Sequence, residues 1–105
     1  MDTKFQEYEH NDQINKFDAN KIKPSLVPTQ IVKDIAIVRE YGNKKYKNPD
    51  SWRKVEINRY VDAFYRHWLS FLEDYSSKDD ESGIEHYKHC ACNIAFICTL
   101  MKDKV

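Results

Sequence analysis

The strongest periodic signal in the chain lies between Asn58 and Tyr75. There Val61, Phe64, Tyr65, Trp68, Leu69, Leu72 and Tyr75 recur at i, i+3, i+4 and i+7. A repeat of 3.6 residues gathers such positions on one side of a helix, so the segment is predicted helical, with Asn58 as its cap. Arg59, Asp62, Arg66 and Glu73 form a second row along it, and His67 falls between the two. Upstream, Ile31, Ile35 and Val38, beside Val32 and Ala36, predict a helix from about Thr29 to Tyr41, capped by Thr29 and stopped by Gly42. Downstream, the polar run Ser76 to Gly83 breaks the pattern. Ser82 and Glu85 then form a possible capping box for a third helix reaching about Met101. Its apolar stripe is Tyr87, Ala91, Ile94, Cys98 and Met101, and His86, His89 and Asn93 make an adjacent polar stripe. Beyond Asn93 this helix is apolar nearly all round, which implies burial on more than one side, as in a subunit interface.

The remaining segments lack periodicity. Residues 1–15 are polar and expected to be mobile, whereas Lys16 to Lys21, followed by Pro24 and Pro28, reads as an ordered arm or turn. Asn43 to Val55 collects lysines, Tyr46, Trp52 and Arg53 into a loop of the kind that carries function. The expected fold is all-α: a small bundle of three main helices with an ordered arm and a basic-aromatic loop, in a single domain over 16–105, assembled as a homodimer or larger homo-oligomer.

Composition sharpens this picture in two places. Lys plus Arg equals Asp plus Glu at 17 each, and that balance argues against stable duplex nucleic acid as a partner, which demands many unopposed cations. The charges are nevertheless sorted: Lys16 to Lys54 is predominantly basic and Glu73 to Glu85 predominantly acidic. The first stretch suits an anion and the second a cation. No segment reaches the roughly 18 continuous apolar residues of a membrane helix, so a cytoplasmic protein with no membrane partner is expected. Cys90, Cys92 and Cys98 share one apolar segment and read as reduced core thiols, not a disulfide framework.

Two constellations carry chemistry. Asp79, Glu81, His86 and His89 place carboxylates before a helix and imidazoles one turn apart on it, an arrangement able to converge on a divalent cation. Asp62, His67 and Glu73 of the preceding helix are possible additions, and the alternative is a packed or surface histidine pair. In the loop, Lys44, Lys45 and Arg53 can neutralise phosphate while Tyr46 or Trp52 stacks on a base. The alternative there is a solvated loop anchored to the core by Trp52. Two glycines in the chain leave no phosphate-cradling glycine loop, so side chains and metal would have to hold phosphate.

The residues K-F-D-A-N-K, V-P-T-Q-I, Y-G-N-K-K-Y, S-W, R-Y-V-D-A-F-Y-R-H, D-D-E-S-G and H-Y-K-H-C-A-C-N, in this order, resemble the dATP/dGTP diphosphohydrolase N-terminal domain family. The resemblance covers Lys16 to about Leu100. It implies metal-dependent hydrolysis of a purine deoxynucleoside triphosphate to monophosphate and pyrophosphate, an activity related to that of MazG-like pyrophosphatases. Positions matching the family include Lys16, Lys21, Lys44, Lys45, Tyr46, Trp52, Arg59, Arg66 and Asn93, expected to bind substrate. Glu81, Asp62 and His67 are expected to act in catalysis, and Asp79, Glu81, His86 and His89 to hold the metal, Mg²⁺ or Mn²⁺. The competing reading is a phage protein that sequesters a purine nucleotide or nucleotide signal without turning it over.

Overall fold

The computed structural model describes residues 20–104; the segment 1–15 and Lys16 of the arm lie outside the described residues. Three helices dominate: α1 (Gln30–Lys45), α2 (Ile57–Glu73) and α3 (His86–Asp103). Single 3-10 turns occupy Pro24–Leu26 and Ser51–Lys54. Among the described residues there is no strand, and the nearest approach to one is an isolated bridge between Lys78 and Glu85. The expected all-α class and its three main helices are observed. None of the helices is long and apolar enough to cross a membrane.

Local chemistry sets the helix ends differently from the periodic pattern. Gly42 does not stop α1: its backbone lacks the left-handed conformation that a glycine stop uses, and the helix runs on to Lys45. Lys44 and Lys45 thus occupy the last turn, where cations meet the negative end of the helix dipole. The carbonyl of Gly42 accepts the final bond from Tyr46 N–H at 2.8 Å. α2 begins one residue before Asn58, which lies inside its first turn, and Glu56 occupies the cap position without a side-chain bond. Nor does Ser82 cap α3. Its hydroxyl accepts from Ile84 N–H at 3.2 Å, and Glu85 stands at the cap position.

α3 is the central element. It packs against α2 on one flank and α1 on the other, while α1 and α2 make no direct packing contact among the described residues. The α1 junction is polar: Lys88 Nζ lies 3.9 Å from the buried Asp34 Oδ1, which also accepts from Gln30 Nε2 at 3.0 Å. The α2 junction is made by Phe64, His67 and Phe71, and the Cys90 thiol donates to Phe64 O at 3.8 Å. Trp52 stacks on Phe96 with ring centroids 4.5 Å apart, Tyr60 leans on the same ring, and the Tyr60 hydroxyl donates to Trp52 O at 2.8 Å. These contacts pin the 51–54 turn to the end of α3.

An amphipathic stripe ordinarily faces the core. Here the periodic stripes face out. Tyr65, Leu69, Leu72 and Tyr75 of the α2 pattern are more than half exposed, and Tyr87, Ile94, Cys98 and Met101 of the α3 stripe are also exposed. The side of α3 turned inward carries His86, His89, Cys92, Asn93, Phe96 and Leu100, so the polar stripe lies on the core side. Among the described residues the buried apolar ones are Cys90, Cys92 and Leu100, and the expectation of three core thiols fails at Cys98, which is exposed.

Candidate functional site

The α2–α3 connection is a short, strongly tied loop. Asp79 N–H donates to Ile84 O at 2.8 Å, Gly83 N–H to Asp79 O at 2.8 Å, and His86 N–H to Ser77 O at 3.0 Å. The reversal depends on Gly83, whose φ of 71° is left-handed and would cost another residue about 1–2 kcal/mol. Within this frame the Asp79 carboxylate accepts from Ser82 N–H at 2.8 Å, which points it back toward the helices.

Three histidines meet there. His67 sits midway along α2, His86 opens α3 and His89 follows one turn later. The Nδ1 atoms of His67 and His86 stand 2.8 Å apart, one donating and the other accepting according to tautomer. The rings of His67 and His89 stack at 4.4 Å, and His89 Nε2 shares a hydrogen bond with Ser82 Oγ at 2.7 Å. One ligand atom each from His67, Asp79 and His86 lies within 4.8 Å of the others, a spacing able to close around a cation.

The electrostatics suit such a role. Burial, reinforced by His89, pushes His67 down to about 4, so its ring is neutral at pH 7 and able to act as a ligand once its contact with His86 opens. Burial also lowers His89. For Asp79, burial works to raise the carboxyl, but the Ser82 hydrogen bonds together with His89 and His67 outweigh it and leave it below the ordinary range. The cluster therefore offers two imidazole nitrogens and a carboxylate oxygen, a donor set that fits a borderline metal such as Mn²⁺ better than the oxygen-seeking Mg²⁺.

Beside the cluster, a cavity of about 590 Å³ opens between α1, the 51–54 turn and α3. His89 belongs to both, with its stack on His67 in the cluster and its place in the cavity wall. Lys45, Tyr46, Trp52 and Asn93, all named from the sequence, line the same cavity. Glu81 is placed elsewhere than the metal-ligand set: it reaches across to α1, where its carboxylate pairs with Lys45 Nζ and accepts the Tyr41 hydroxyl at 3.2 Å. Those two bonds hold Glu81 below the usual carboxylate range, and the bond to Glu81 in turn raises Lys45.

Other sequence-named residues are not gathered. Arg59 lines a separate shallow depression with Lys54, Val55 and Glu56. Asp62 is exposed on α2 and its carboxylate makes no hydrogen bond or ion pair among the described residues. Arg66 is exposed, acting on His67 only through space, and Lys44 and Lys21 are exposed away from the cavity wall. Sequence reasoning missed Arg39, whose guanidinium donates to Pro49 O at 2.6 Å and lies 5.3 Å from the centre of the Phe96 ring. No pattern in the residues signalled it, and the neighbouring Gly42 is not required for it, since a Cβ there would meet Arg39 Nη1 at an ordinary contact distance of 3.9 Å.

With this geometry, comparison with known proteins is informative. Residues 11–105 match the family described as dATP/dGTP diphosphohydrolase, N-terminal. The chain belongs to this family. A curated relative, a dATP/dGTP diphosphohydrolase of Salmonella phage PMBT28, is 35% identical over 89 residues, covering 85% of this chain and 30% of the relative. The chain thus spans under a third of that family member's length. No solved structure matches it.

Proposed function

We propose that this protein hydrolyses a purine deoxynucleoside triphosphate to the monophosphate and pyrophosphate, using a divalent metal held by His67, Asp79 and His86. The observation that carries this reading is the junction at His89, where a cation-suited cluster adjoins a cavity walled by Lys45 and Arg39. A bound divalent ion would neutralise charge building on the phosphates. The remaining work falls to side chains. Lys45, released from Glu81, binds phosphate oxygens, and His89 in its neutral form accepts a proton from the attacking water. Water oxygen bonds to the α-phosphorus, the bond from that phosphorus to the bridging oxygen breaks, and pyrophosphate leaves with the electron pair. Asp62 and Arg59, which the structure keeps apart from the cavity, have no part in this scheme.

The exposed stripes supply a further element of the reading: two copies of the chain pair through α2. The row Arg59, Asp62, Arg66 and Glu73 runs beside the stripe, with a cation toward one end and an acid at the other. An antiparallel two-fold pairing would set Arg59 against Glu73 of the second copy while covering Tyr65, Leu69 and Leu72.

The test is to incubate the purified full chain with dATP or dGTP and Mn²⁺ or Mg²⁺ and to measure pyrophosphate. Product that disappears with chelator and with His86→Ala supports the proposal. Absence of product with every nucleotide and metal overturns hydrolysis. Intact nucleotide recovered bound would instead establish the sequestering reading.

A further inference from the structure

Asn93 combines two properties that seldom coincide. It is one of two buried polar or charged residues among the described ones, at 8% exposure, and its amide makes no hydrogen bond to any described residue. A buried amide without a partner costs about 1–3 kcal/mol, so such groups are normally paired. Yet no buried side-chain polar atom is sealed off from both partner and solvent among the described residues. The Asn93 amide must therefore border open space, and the space it borders is the 590 Å³ cavity.

The walls around it narrow the chemistry of what would enter. Trp52, Phe96, Tyr60 and Tyr46 are aromatic, and Trp52 and Phe96 are locked face to face, leaving rigid edges instead of a movable ring. Tyr46 is the exposed exception, at 55%, lying at the cavity wall next to Lys45. A flat heteroaromatic ring with a donor and an acceptor on one edge satisfies both the apolar walls and the amide. Volume agrees, since small-ligand pockets run from about 300 to 1,000 Å³.

We propose that this cavity seats the base and that Asn93 reads the edge of a purine carrying N7, its Nδ2 donating to N7 and its Oδ1 accepting from an exocyclic amine. The inference rests on the nucleotide reading above and adds the recognition element to it. An adenine satisfies both halves of the amide, whereas a guanine presents acceptors at N7 and O6 and engages only the Nδ2 donor. A pyrimidine has no N7 to meet it. The expected order is adenine, then guanine, then pyrimidines. Tyr46 contributes stacking without regard to base identity. The base thus lies at the Asn93 end, and the phosphates extend past His89 toward the cluster.

Calorimetric titration of the full chain with dATP, 7-deaza-dATP, dGTP and dCTP, in chelator to prevent turnover, tests this at the level of one atom. Replacing N7 by carbon should weaken binding by about fivefold, the worth of one hydrogen bond. Asn93→Asp, which swaps the Nδ2 donor for an acceptor, should bring the dATP to 7-deaza-dATP ratio close to one, while Tyr46→Ala should weaken every nucleotide by a similar factor. Equal binding of dATP and 7-deaza-dATP by the unaltered protein overturns the proposal, and so does dCTP binding as tightly as dATP. Because that comparison needs no variant, the proposal stays testable if Asn93→Asp fails to fold. Binding without base discrimination removes only this inference; no binding of any nucleotide, either in chelator or with Ca²⁺ in place of the catalytic metal, removes the nucleotide reading itself.

Discussion

The two long sides of α3 differ in kind. Inward, it presents His86, His89, Cys92, Asn93, Phe96 and Leu100, a mixture in which polar groups outnumber large aliphatic ones. Outward, it presents Tyr87, Ile94, Cys98 and Met101, and α2 adds Tyr65, Leu69 and Leu72. By composition alone the outer side looks more like an interior. The lesson is that hydrophobic periodicity finds a helix and its two faces reliably, yet does not say which face meets the rest of the same chain. A chain that builds a polar site between its helices, and leaves its apolar faces free, inverts the usual assignment.

Substitutions on the two sides should separate them. The largest stability loss is expected inside, where Phe96→Ala removes the ring shared by Trp52, Tyr60 and Arg39. A loss of about 3 kcal/mol, read as a lowered midpoint in urea, is the expected size for deleting a packed aromatic. An unchanged midpoint would mean that the 51–54 turn is not anchored as described.

On the outer side, Leu69→Glu should leave the fold of one copy intact while weakening self-association by about 2 kcal/mol, the size of a central interface residue. Light scattering across a concentration series measures it. A protein monomeric at every concentration, before and after substitution, would break the outer half of the comparison.

A smaller effect follows from His67. Its folded value of about 4 lies below the ordinary value of 6.5, so the unfolded chain takes up a proton before the folded one does. The stabilisation is complete above about pH 6.5 and is lost as pH falls toward 4. Allowing for water reaching the half-buried ring, the loss is about 1 kcal/mol, and His67→Gln should flatten thermal melts between those limits. An equal slope in both proteins would contradict the burial of the cluster.

The least intrusive contrast uses the thiols of one helix. Burial pushes Cys90 and Cys92 up to about 11, keeping them protonated, whereas Cys98 is exposed. Under native conditions a thiol reagent at pH 8 should label Cys98 first, and all three together only after unfolding. Mass spectrometry of the labelled peptides decides it.

Much of this was legible in the residues. Helix number, the loop after Glu73 and the nearness of His86 and His89 follow from periodicity and from spacing within one turn, whereas His67 was only a possible addition from the preceding helix. What was not legible depended on the third dimension. Glu81 carries the same charge as Asp79 two residues earlier, but the turn closed by Gly83 sends it to Lys45, and no pattern in D-D-E-S-G distinguishes the two acids. Arg39 looked like one polar position in a helix, because its value lies in the guanidinium reaching Pro49 ten residues away. Arg59 and Asp62 matched the family's order, yet their row on α2 faces away from α3.

Since α1 and α2 pack on α3 and not on each other, neither has a helix to pack against until α3 is available. On the ribosome, the first two would leave the exit tunnel as marginal, fluctuating helices, and cooperative folding would wait for residues near Asp103 to emerge. A nascent chain arrested short of that point should remain protease-sensitive however far synthesis has otherwise advanced.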